Sequence, residues 1–260
     1  MNDEPVLLSI DGGIATITLN RPADGNAVDL PLVRALLSAM IRIDSDSTIR
    51  CVVLTGNGKM FCVGGYITAM AAVGASVAGF VSELAGVLHM AVSRLMRMRK
   101  PLLMLVNGPA AGAGFSLAMA GDIVIAAKST HFTPAYGAVG LSPDGGMSWL
   151  LPRLVGMRRA QDMMLSNRRI GAADAAANGL VTRFVEDEAL ATEGAAEATN
   201  LARAATEAIG ATRALLLSSY SESLEGQLEQ EARRIAAASA GPEGREGLSA
   251  FLATRKPDFA

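Results

Sequence analysis

The stretch LLMLVNGPAAGAGFSLAMAGDIVIAA, residues 102–127, contains the alternation that decides the fold. The apolar run 102–106 predicts a buried strand, and Asn107-Gly108-Pro109 ends it. The small residues of 110–120 predict a tightly packed helix, and 122–127 predicts the next strand. A strand, a glycine-rich loop, a helix and a second strand in this order are typical of an α/β fold.

The same alternation continues toward the N-terminus. Residues 5–20 predict a hairpin with its turn at Asp11-Gly12-Gly13. Asp29 is a suitable cap for the periodic helix that follows it. Residues 51–55 predict a buried strand, which is followed by a glycine-rich loop and then by a helix over 68–98. These elements extend the α/β pattern over the first half of the chain.

From about residue 155 onward the pattern is almost entirely helical, apart from a short strand at 181–185. Three alanine-rich helices are predicted, over 188–206, 208–238 and 242–254. We therefore expect an α/β core over 1–195 that carries the functional site. A helical C-terminal region is expected over 196–260.

The composition excludes several classes of protein. Of the 260 residues, 23 are basic and 25 acidic, and a net charge of -2 offers no electrostatic footprint for nucleic acid or an anionic membrane. Two cysteines and two histidines are too few for a disulfide framework or a multi-histidine metal centre. Pro109 interrupts the uncharged stretch 101–121, which argues against a membrane span. The acidic N-terminus lacks the pattern of a secretory signal, so a cytoplasmic location is expected.

Two glycine-rich loops each leave a predicted strand, at 61–65 and at 107–114. Glycine lets the backbone approach a ligand, and the first N–H groups of a helix have no partner within that helix. Two such donors aimed at one point would stabilise an oxygen that gains negative charge. The alternative for both loops is close packing of a helix on a strand.

Polar candidates are few. Asp144 lies in the segment Ser142-Pro143-Asp144-Gly145-Gly146, which also fits an ordinary β-turn. His89 lies in a mostly apolar helix, and a single histidine names no reaction. Ser116 is not part of a G-x-S-x-G elbow, which argues against a hydrolase nucleophile.

Several ordered motifs together resemble the enoyl-CoA hydratase/isomerase family, also called the crotonase superfamily, over essentially the whole chain. The resemblance rests on order and spacing as well as on residue type. The matching segments are Asn20-Arg21-Pro22, Asn26-Ala27, Gly58 to Gly65, Lys100-Pro101, Asn107 to Gly114, Gly121 to Ala126, Gly140 to Gly146, Leu151 to Gly156 and Gly179-Leu180-Val181.

This resemblance implies a repeated ββα spiral core with a helical trimerisation region. Members of the family bind acyl-CoA thioesters, need no metal or redox cofactor, and form homotrimers or dimers of trimers. By alignment the backbone amides of Gly65 and Ala113 form the oxyanion hole. The residues expected along the coenzyme A moiety are Asn26, Ala27, Val63 and Ile67.

The chain departs from the family's hydratases at both catalytic glutamates, which are replaced here by Ser116 and Tyr136. A two-carboxylate hydration therefore loses both of its acid–base groups. What remains is Asp144, at a position shared with aspartate-containing isomerases and with 4-chlorobenzoyl-CoA dehalogenases. His89 stands 12 residues before Pro101, as a histidine does in the dehalogenase branch.

Four hypotheses follow for the chemistry. Asp144 moves a proton between Cα and Cγ of an enoyl thioester, which is the reading we adopt. Alternatively it attacks an aromatic ring while His89 activates water, although Gly65 and Leu88 replace two aromatic residues of the expected ring clamp. Thirdly, His89 and Asp144 activate water for an atypical hydration or hydrolysis. Finally, the protein binds CoA thioesters without turnover. Leu88 and Ser116 are expected around the acyl group. Tyr136 is expected there too, as a hydrogen-bond donor that is counted with Asp144 and His89 among the catalytic residues.

Overall fold

The structure is a computed structural model that describes residues 4–259. It contains nine strands: β1 Val6–Asp11, β2 Ile14–Leu19, β3 Cys51–Gly56, β4 Leu102–Val106, β5 Ala110–Ala111, β6 Ile123–Ala127, β7 His131–Thr133, β8 Ile170–Gly171 and β9 Arg183–Val185. Six strands form the main sheet in the order β1-β2-β3-β4-β6-β9, in which only the first pair is antiparallel. The other three form a small sheet in the order β5-β7-β8.

The N-terminal hairpin forms as the sequence predicts. Asp11 pairs with Ile14, and Gly12 and Gly13 make the two-residue turn with φ of +52° and +76°. Positive φ at both central residues is the geometry that matches the twist of a hairpin, which explains the pair of glycines. On β2 every second side chain, from Ala15 to Leu19, is buried against the core.

The eleven helices are α1 Leu30–Ser45, α2 Ile67–Ala72, α3 Val77–Arg97, α4 Ala113–Ala118, α5 Met147–Val155, α6 Met157–Ser166, α7 Ala172–Ala177, α8 Leu190–Arg203, α9 Thr206–Ser218, α10 Leu224–Ala240 and α11 Pro242–Leu252. The predicted cap of α1 is confirmed, because the Asp29 carboxylate accepts a hydrogen bond from the Leu32 N–H at 3.0 Å. Helix α1 packs against α3 on one side and against β1 and β2 of the main sheet on the other.

Three predicted helices differ from those in the structure: two are broken and one is shorter. The helix expected over 68–98 is divided into α2 and α3 by a short turn, where Gly74 takes a left-handed φ of +54°. The helix expected over 110–120 begins later, because residues 110–111 form β5. The helix expected over 208–238 breaks between α9 and α10, and Ser223 caps α10 by accepting from the Gly226 N–H.

The expected boundary at residue 195 lies inside helix α8. This helix buries Leu190, Ala198 and Ala202 against the main sheet, so it belongs to the core. Helix α9 is also tied to the core, through the buried Arg213. Helices α10 and α11 lie outside the two hydrophobic core clusters, although Glu243 at the start of α11 forms an ion pair with Arg50 beside β3.

One helical stretch, Gly74–Arg97, has the length and apolar composition of a membrane-spanning helix. The same properties are common in core helices of soluble proteins. Here one face of α3 packs on α1, and its buried residues include Leu84, Leu88 and Leu95.

Candidate active site

A cavity of about 310 Å³ lies between α3, the two glycine-rich loops and the segment 135–144. Its α3 wall is made by Val81, Leu84, Ala85 and Leu88, a spacing that places four apolar side chains on one helix face. The sequence already shows this periodicity, so Val81, Leu84 and Ala85 could have been predicted as lining residues from it.

The first glycine-rich loop is fixed by Val28. The Val28 N–H donates to the Gly64 carbonyl at 2.7 Å, and the Tyr66 N–H donates to the Val28 carbonyl at 2.9 Å. In this parallel bridge the amide of the residue between them, Gly65, points to the opposite side. Gly65 lines the cavity, as the sequence predicts.

The second loop leads directly into α4, where Ala113 is the first residue. Its N–H is one of the helix-start donors that have no intrahelical acceptor. The two loops touch: a Cβ built on Gly114 would lie 2.2 Å from the Cys62 carbonyl oxygen, which only glycine avoids. Ala113 and Gly65 therefore line the same cavity from loops that are packed together.

Asp144 lines this cavity and is held by Tyr136. The Tyr136 hydroxyl donates to Asp144 Oδ1 at 2.6 Å. Burial raises the pKa of the Tyr136 phenol, and the neighbouring carboxylate raises that pKa further. The phenol therefore stays protonated and acts as a donor. Within residues 4–259 no group donates to Asp144 Oδ2, so this oxygen is available to a bound molecule.

Ser116 lies behind the loop that carries Asp144 and does not line the cavity. It is completely buried, and its hydroxyl donates to the Asp144 backbone carbonyl at 2.9 Å. The same hydroxyl is 3.3 Å from the Tyr136 hydroxyl. The expectation that Ser116 contacts the acyl group is therefore corrected: it supports the backbone of Asp144.

His89 also faces away from the cavity. Its Nε2 accepts a hydrogen bond from the Gly145 N–H at 3.1 Å, and the ring lines a second cavity on the far side of the loop. Leu88 and His89 are consecutive in a helix and so point in directions about 100° apart. Leu88 lines the first cavity, while His89 contacts the loop backbone and not the Asp144 carboxylate.

The residues expected along coenzyme A divide into two pairs. Val63 and Ile67 are exposed at the cavity. Asn26 is completely buried, and its amide donates to three backbone carbonyls, those of Asn57, Met60 and Phe61. Ala27 is buried beside it and does not line the cavity. Contact of the Asn26 side chain with coenzyme A is therefore corrected to a structural role in shaping the first loop.

No metal centre accompanies this arrangement in the described part of the chain. Among residues 4–259 no three His, Cys, Asp or Glu side chains lie close enough to hold a metal ion. Both cysteines are buried, and burial raises the pKa of the Cys62 thiol to about 12. A thiol with such a high pKa is a poor nucleophile.

A carboxylate and two loop amides that line one largely aliphatic cavity are the parts of an enzyme that combines acid–base chemistry with oxyanion stabilisation. The comparisons with known proteins agree with this class. The family model described as enoyl-CoA hydratase/isomerase matches residues 9–260, and the chain belongs to this family, within the crotonase superfamily.

The relatives differ in their named reactions. The chain is 38% identical to a 1,2-epoxyphenylacetyl-CoA isomerase from Escherichia coli (strain K12), over 98% of each chain. It is 32% identical to 4-chlorobenzoyl coenzyme A dehalogenase-2 from an Arthrobacter species, over 96% of this chain and 91% of the relative. The crystal structure of an enoyl-CoA hydratase from Polaromonas sp. JS666 superimposes with a TM-score of 0.93 at 32% identity, over 97% of this chain and 98% of the other. The fold is thus the crotonase fold, and this chain is an enzyme-family member that acts on acyl-CoA thioesters.

Proposed function

We propose that this protein isomerises the double bond of an enoyl-CoA thioester, with Asp144 as the proton shuttle. The main observation in support of this proposal is that Asp144 has no second carboxylate beside it in the described lining of the cavity. Asp144 is the one acidic side chain among the described residues that line the cavity. A proton transfer between two carbons needs a single base that can return the proton it removes.

In the proposed reaction the thioester oxygen accepts hydrogen bonds from the amides of Gly65 and Ala113. Asp144 Oδ2 removes a proton from Cα of a 3-enoyl thioester, and the negative charge moves onto the oxygen of the resulting dienolate. The same carboxyl group then protonates Cγ, which yields the 2-enoyl thioester. The two amides are fixed before the reaction, so they stabilise the developing charge without reorganisation.

Three polar side chains hold the shuttle in place. Tyr136 binds Oδ1, which leaves Oδ2 for the substrate. Ser116 binds the Asp144 carbonyl, and His89 binds the Gly145 N–H. In this proposal all three are positioning residues, because none of their polar groups is needed as a second acid or base.

The geometry argues against the alternatives. Two-glutamate hydration lacks both glutamates, and ring attack followed by water activation needs a histidine on the carboxylate side. His89 contacts the opposite side of the loop. Tyr136 is the one aromatic ring among the described residues that line the cavity, so a clamp around an aromatic substrate is missing. The name of the isomerase relative supports isomerisation as the class of reaction.

We also propose that the chain forms a homotrimer or a pair of trimers through α10 and α11. Within the described residues α10 buries none of its side chains. Apolar residues are exposed along both helices: Leu224, Leu228, Ile235, Leu248, Phe251 and Leu252. Such a large set of exposed apolar side chains is typical of a surface covered by another chain.

Deuterium exchange tests the proposed reaction. The protein is incubated in D₂O with 2-enoyl-, 3-enoyl- and benzoyl-CoA, and label uptake and double-bond position are followed by mass spectrometry and NMR. Asp144→Asn is expected to lower exchange and isomerisation by about 10²–10⁴-fold, the usual contribution of a positioned acid–base group. Asp174→Asn, at an exposed aspartate in the first turn of α7, is the matched control.

Three outcomes would contradict the proposal. Full activity in Asp144→Asn would show that Asp144 does not transfer the proton. Net addition of water to a 2-enoyl thioester would indicate hydration. Tight binding of every thioester with neither label uptake nor migration of the double bond would favour a binding protein.

A further inference from the structure

Two cavities lie side by side along helix α3. The first is the candidate acyl cavity described above. The second measures about 350 Å³. Its lining includes Trp149 and Leu217, and its α3 wall is made by His89, Val92, Ser93, Met96 and Arg97. Both cavities share the same helix and the same loop, so what separates them decides how much room the acyl group has.

The two cavities are separated where Leu88 meets Gly145. Along α3 the wall changes from the first cavity to the second between Leu88 and His89, and along the loop it changes between Asp144 and Gly145. A Cβ built on Gly145 would lie 3.6 Å from Leu88 Cδ2, so the Leu88 side chain packs against the Gly145 backbone. Leu88 is only 1% exposed. Its isobutyl group is therefore the partition between the two cavities.

The chemistry of the first cavity restricts what it holds. Its described lining is mostly aliphatic, with Tyr136 and Asp144 as its principal polar side chains. No cation lines it among the described residues, so it offers no partner for a negatively charged acyl group. A cavity of about 150 Å³ binds benzene, so about 310 Å³ corresponds to roughly twelve non-hydrogen atoms at most.

We propose that Leu88 is the residue that sets the acyl-chain length, and that the substrate is a neutral aliphatic acyl thioester short enough to end at this side chain. This inference rests on the proposed function for the placement of the acyl group in the first cavity. When Leu88 is shortened, the second cavity becomes the continuation of the first and accepts the distal part of a longer chain.

Binding of saturated straight-chain acyl-CoA thioesters, from four to sixteen carbons, tests the partition by calorimetry. These compounds carry no double bond to isomerise, so affinity is measured without turnover. The wild-type affinity is expected to rise by up to about fourfold per added methylene and to stop rising near ten carbons. In Leu88→Ala the rise is expected to continue, so that the affinity ratio of tetradecanoyl- to octanoyl-CoA increases at least tenfold.

Leu84→Ala is the matched control, because it removes the same atoms from the same wall one turn away from the partition. It is expected to leave the length limit in place. In the Leu88→Ala background, Ser93→Trp is expected to fill the second cavity and restore the wild-type limit. Thermal melting checks that each variant is folded, and the milder Leu88→Val replaces Leu88→Ala if the latter does not fold.

The inference is overturned if the wild-type affinity continues to rise through sixteen carbons, or if Leu88→Ala weakens all chain lengths equally. These outcomes are independent of the deuterium-exchange test. A length limit that moves with Leu88, together with an absence of both exchange and double-bond migration, would keep the partition and reject the isomerase. Failure of every thioester to bind would reject both.

Discussion

Helices α8 and α10 are similarly rich in alanine, yet α8 and α9 pack on the core whereas α10 and α11 leave their large apolar side chains exposed. The first pair is fixed to the sheet by buried side chains. Arg213 of α9 is 8% exposed and donates to the backbone carbonyls of Leu95 and Lys100, while its Nε contacts the Asp122 carboxylate at 2.7–2.8 Å. The second pair presents leucine, isoleucine and phenylalanine to solvent.

The difference shows that helix propensity and composition do not reveal which helices belong to a core. The buried guanidinium of Arg213 connects α9 to the end of α3 and to the start of β4. The sequence pattern of α9 does not predict this contact. The exposed apolar residues of α10 and α11 would be stabilised if another chain covered them and removed them from water. The anchored pair is thus part of the monomer, and we propose that the exposed pair belongs to the assembly.

The largest effect is expected from Arg213→Met, which keeps the apolar stem and removes the charge. The backbone carbonyls of Leu95 and Lys100 would then lose their donor, while the Asp122 carboxylate, which is 33% exposed, would lose its ion-pair partner but keep contact with water. Each buried acceptor left without a partner costs about 1–3 kcal/mol in the free energy of unfolding. Chemical denaturation measures it. The control is Arg233→Met on α10, whose side chain is 77% exposed beside Glu229 and whose loss is expected to change the stability by under about 0.5 kcal/mol.

A second variant tests the exposed pair of helices. Leu228→Asp combined with Ile235→Asp places two charges on the exposed stripe of α10. If that stripe is covered by another chain, the association constant should fall by at least a hundredfold, because each apolar side chain contributes about 1.5–3 kcal/mol when buried. Sedimentation velocity is the measurement. Ala236→Asp, on a different face of the helix, is the control, and an unchanged sedimentation coefficient in the double variant would contradict the proposed interface.

A smaller effect is expected from Tyr136→Phe, which removes one hydrogen bond from a side chain that the core already orients. Asp144 would keep its place in the loop but lose the fixed orientation of its carboxylate. We expect kcat for isomerisation to fall about tenfold with little change in KM, since a hydrogen bond to a charged group contributes about 1.5–3 kcal/mol. Tyr220→Phe keeps the ring that packs on Trp149 and serves as the control. Equal loss in both variants would indicate a general structural effect.

The smallest effect concerns the end of α11 and depends on pH. The hydrogen bond from Arg255, aided by the Asp258 N–H, lowers the pKa of Glu246 to about 2 from 4.5. A lowered pKa in the folded state means that the contact stabilises the fold above about pH 4.5 and is lost as the pH falls toward 2. Glu246→Gln should therefore speed amide exchange near residue 258 at neutral pH. Exchange that differs equally at all pH values would contradict this role.

Much of the fold was predictable because the main strands are short apolar runs bounded by glycine, proline or asparagine. The hairpin of β1 and β2, the cap of α1 and strands β3, β4 and β6 form where these signals lie. Strands β5, β7 and β8, which have only two or three residues, carry no measurable period and were missed, whereas the short strand predicted over 181–185 forms as β9. Gly74 and Ser223 are residue types that break or cap helices. The helical pattern on both sides of each residue nevertheless led to the prediction of one continuous helix.

The site was predictable where backbone and motif coincide. Gly65, Ala113, Asp144 and Tyr136 all line one cavity, although their chemical roles stay predictions. Motif matching could not tell a buried structural amide, as in Asn26, from one that contacts a ligand. It also placed His89 with Asp144, whereas helix geometry separates consecutive residues and turns His89 to the other side of the loop.

The solitary carboxylate of the cavity has a stereochemical consequence. Asp144 lies in one wall of the cavity, whereas two acid–base groups could act on opposite faces of a substrate. Under the proposed isomerisation, the proton leaves and returns on the same face of the planar dienolate. A thioester labelled with deuterium on one prochiral position of Cα is then expected to deliver label to a single face of Cγ. The configuration of the deuterated Cγ in the product would identify the face of the dienolate that receives the proton, and hence the wall of the cavity that carries the base.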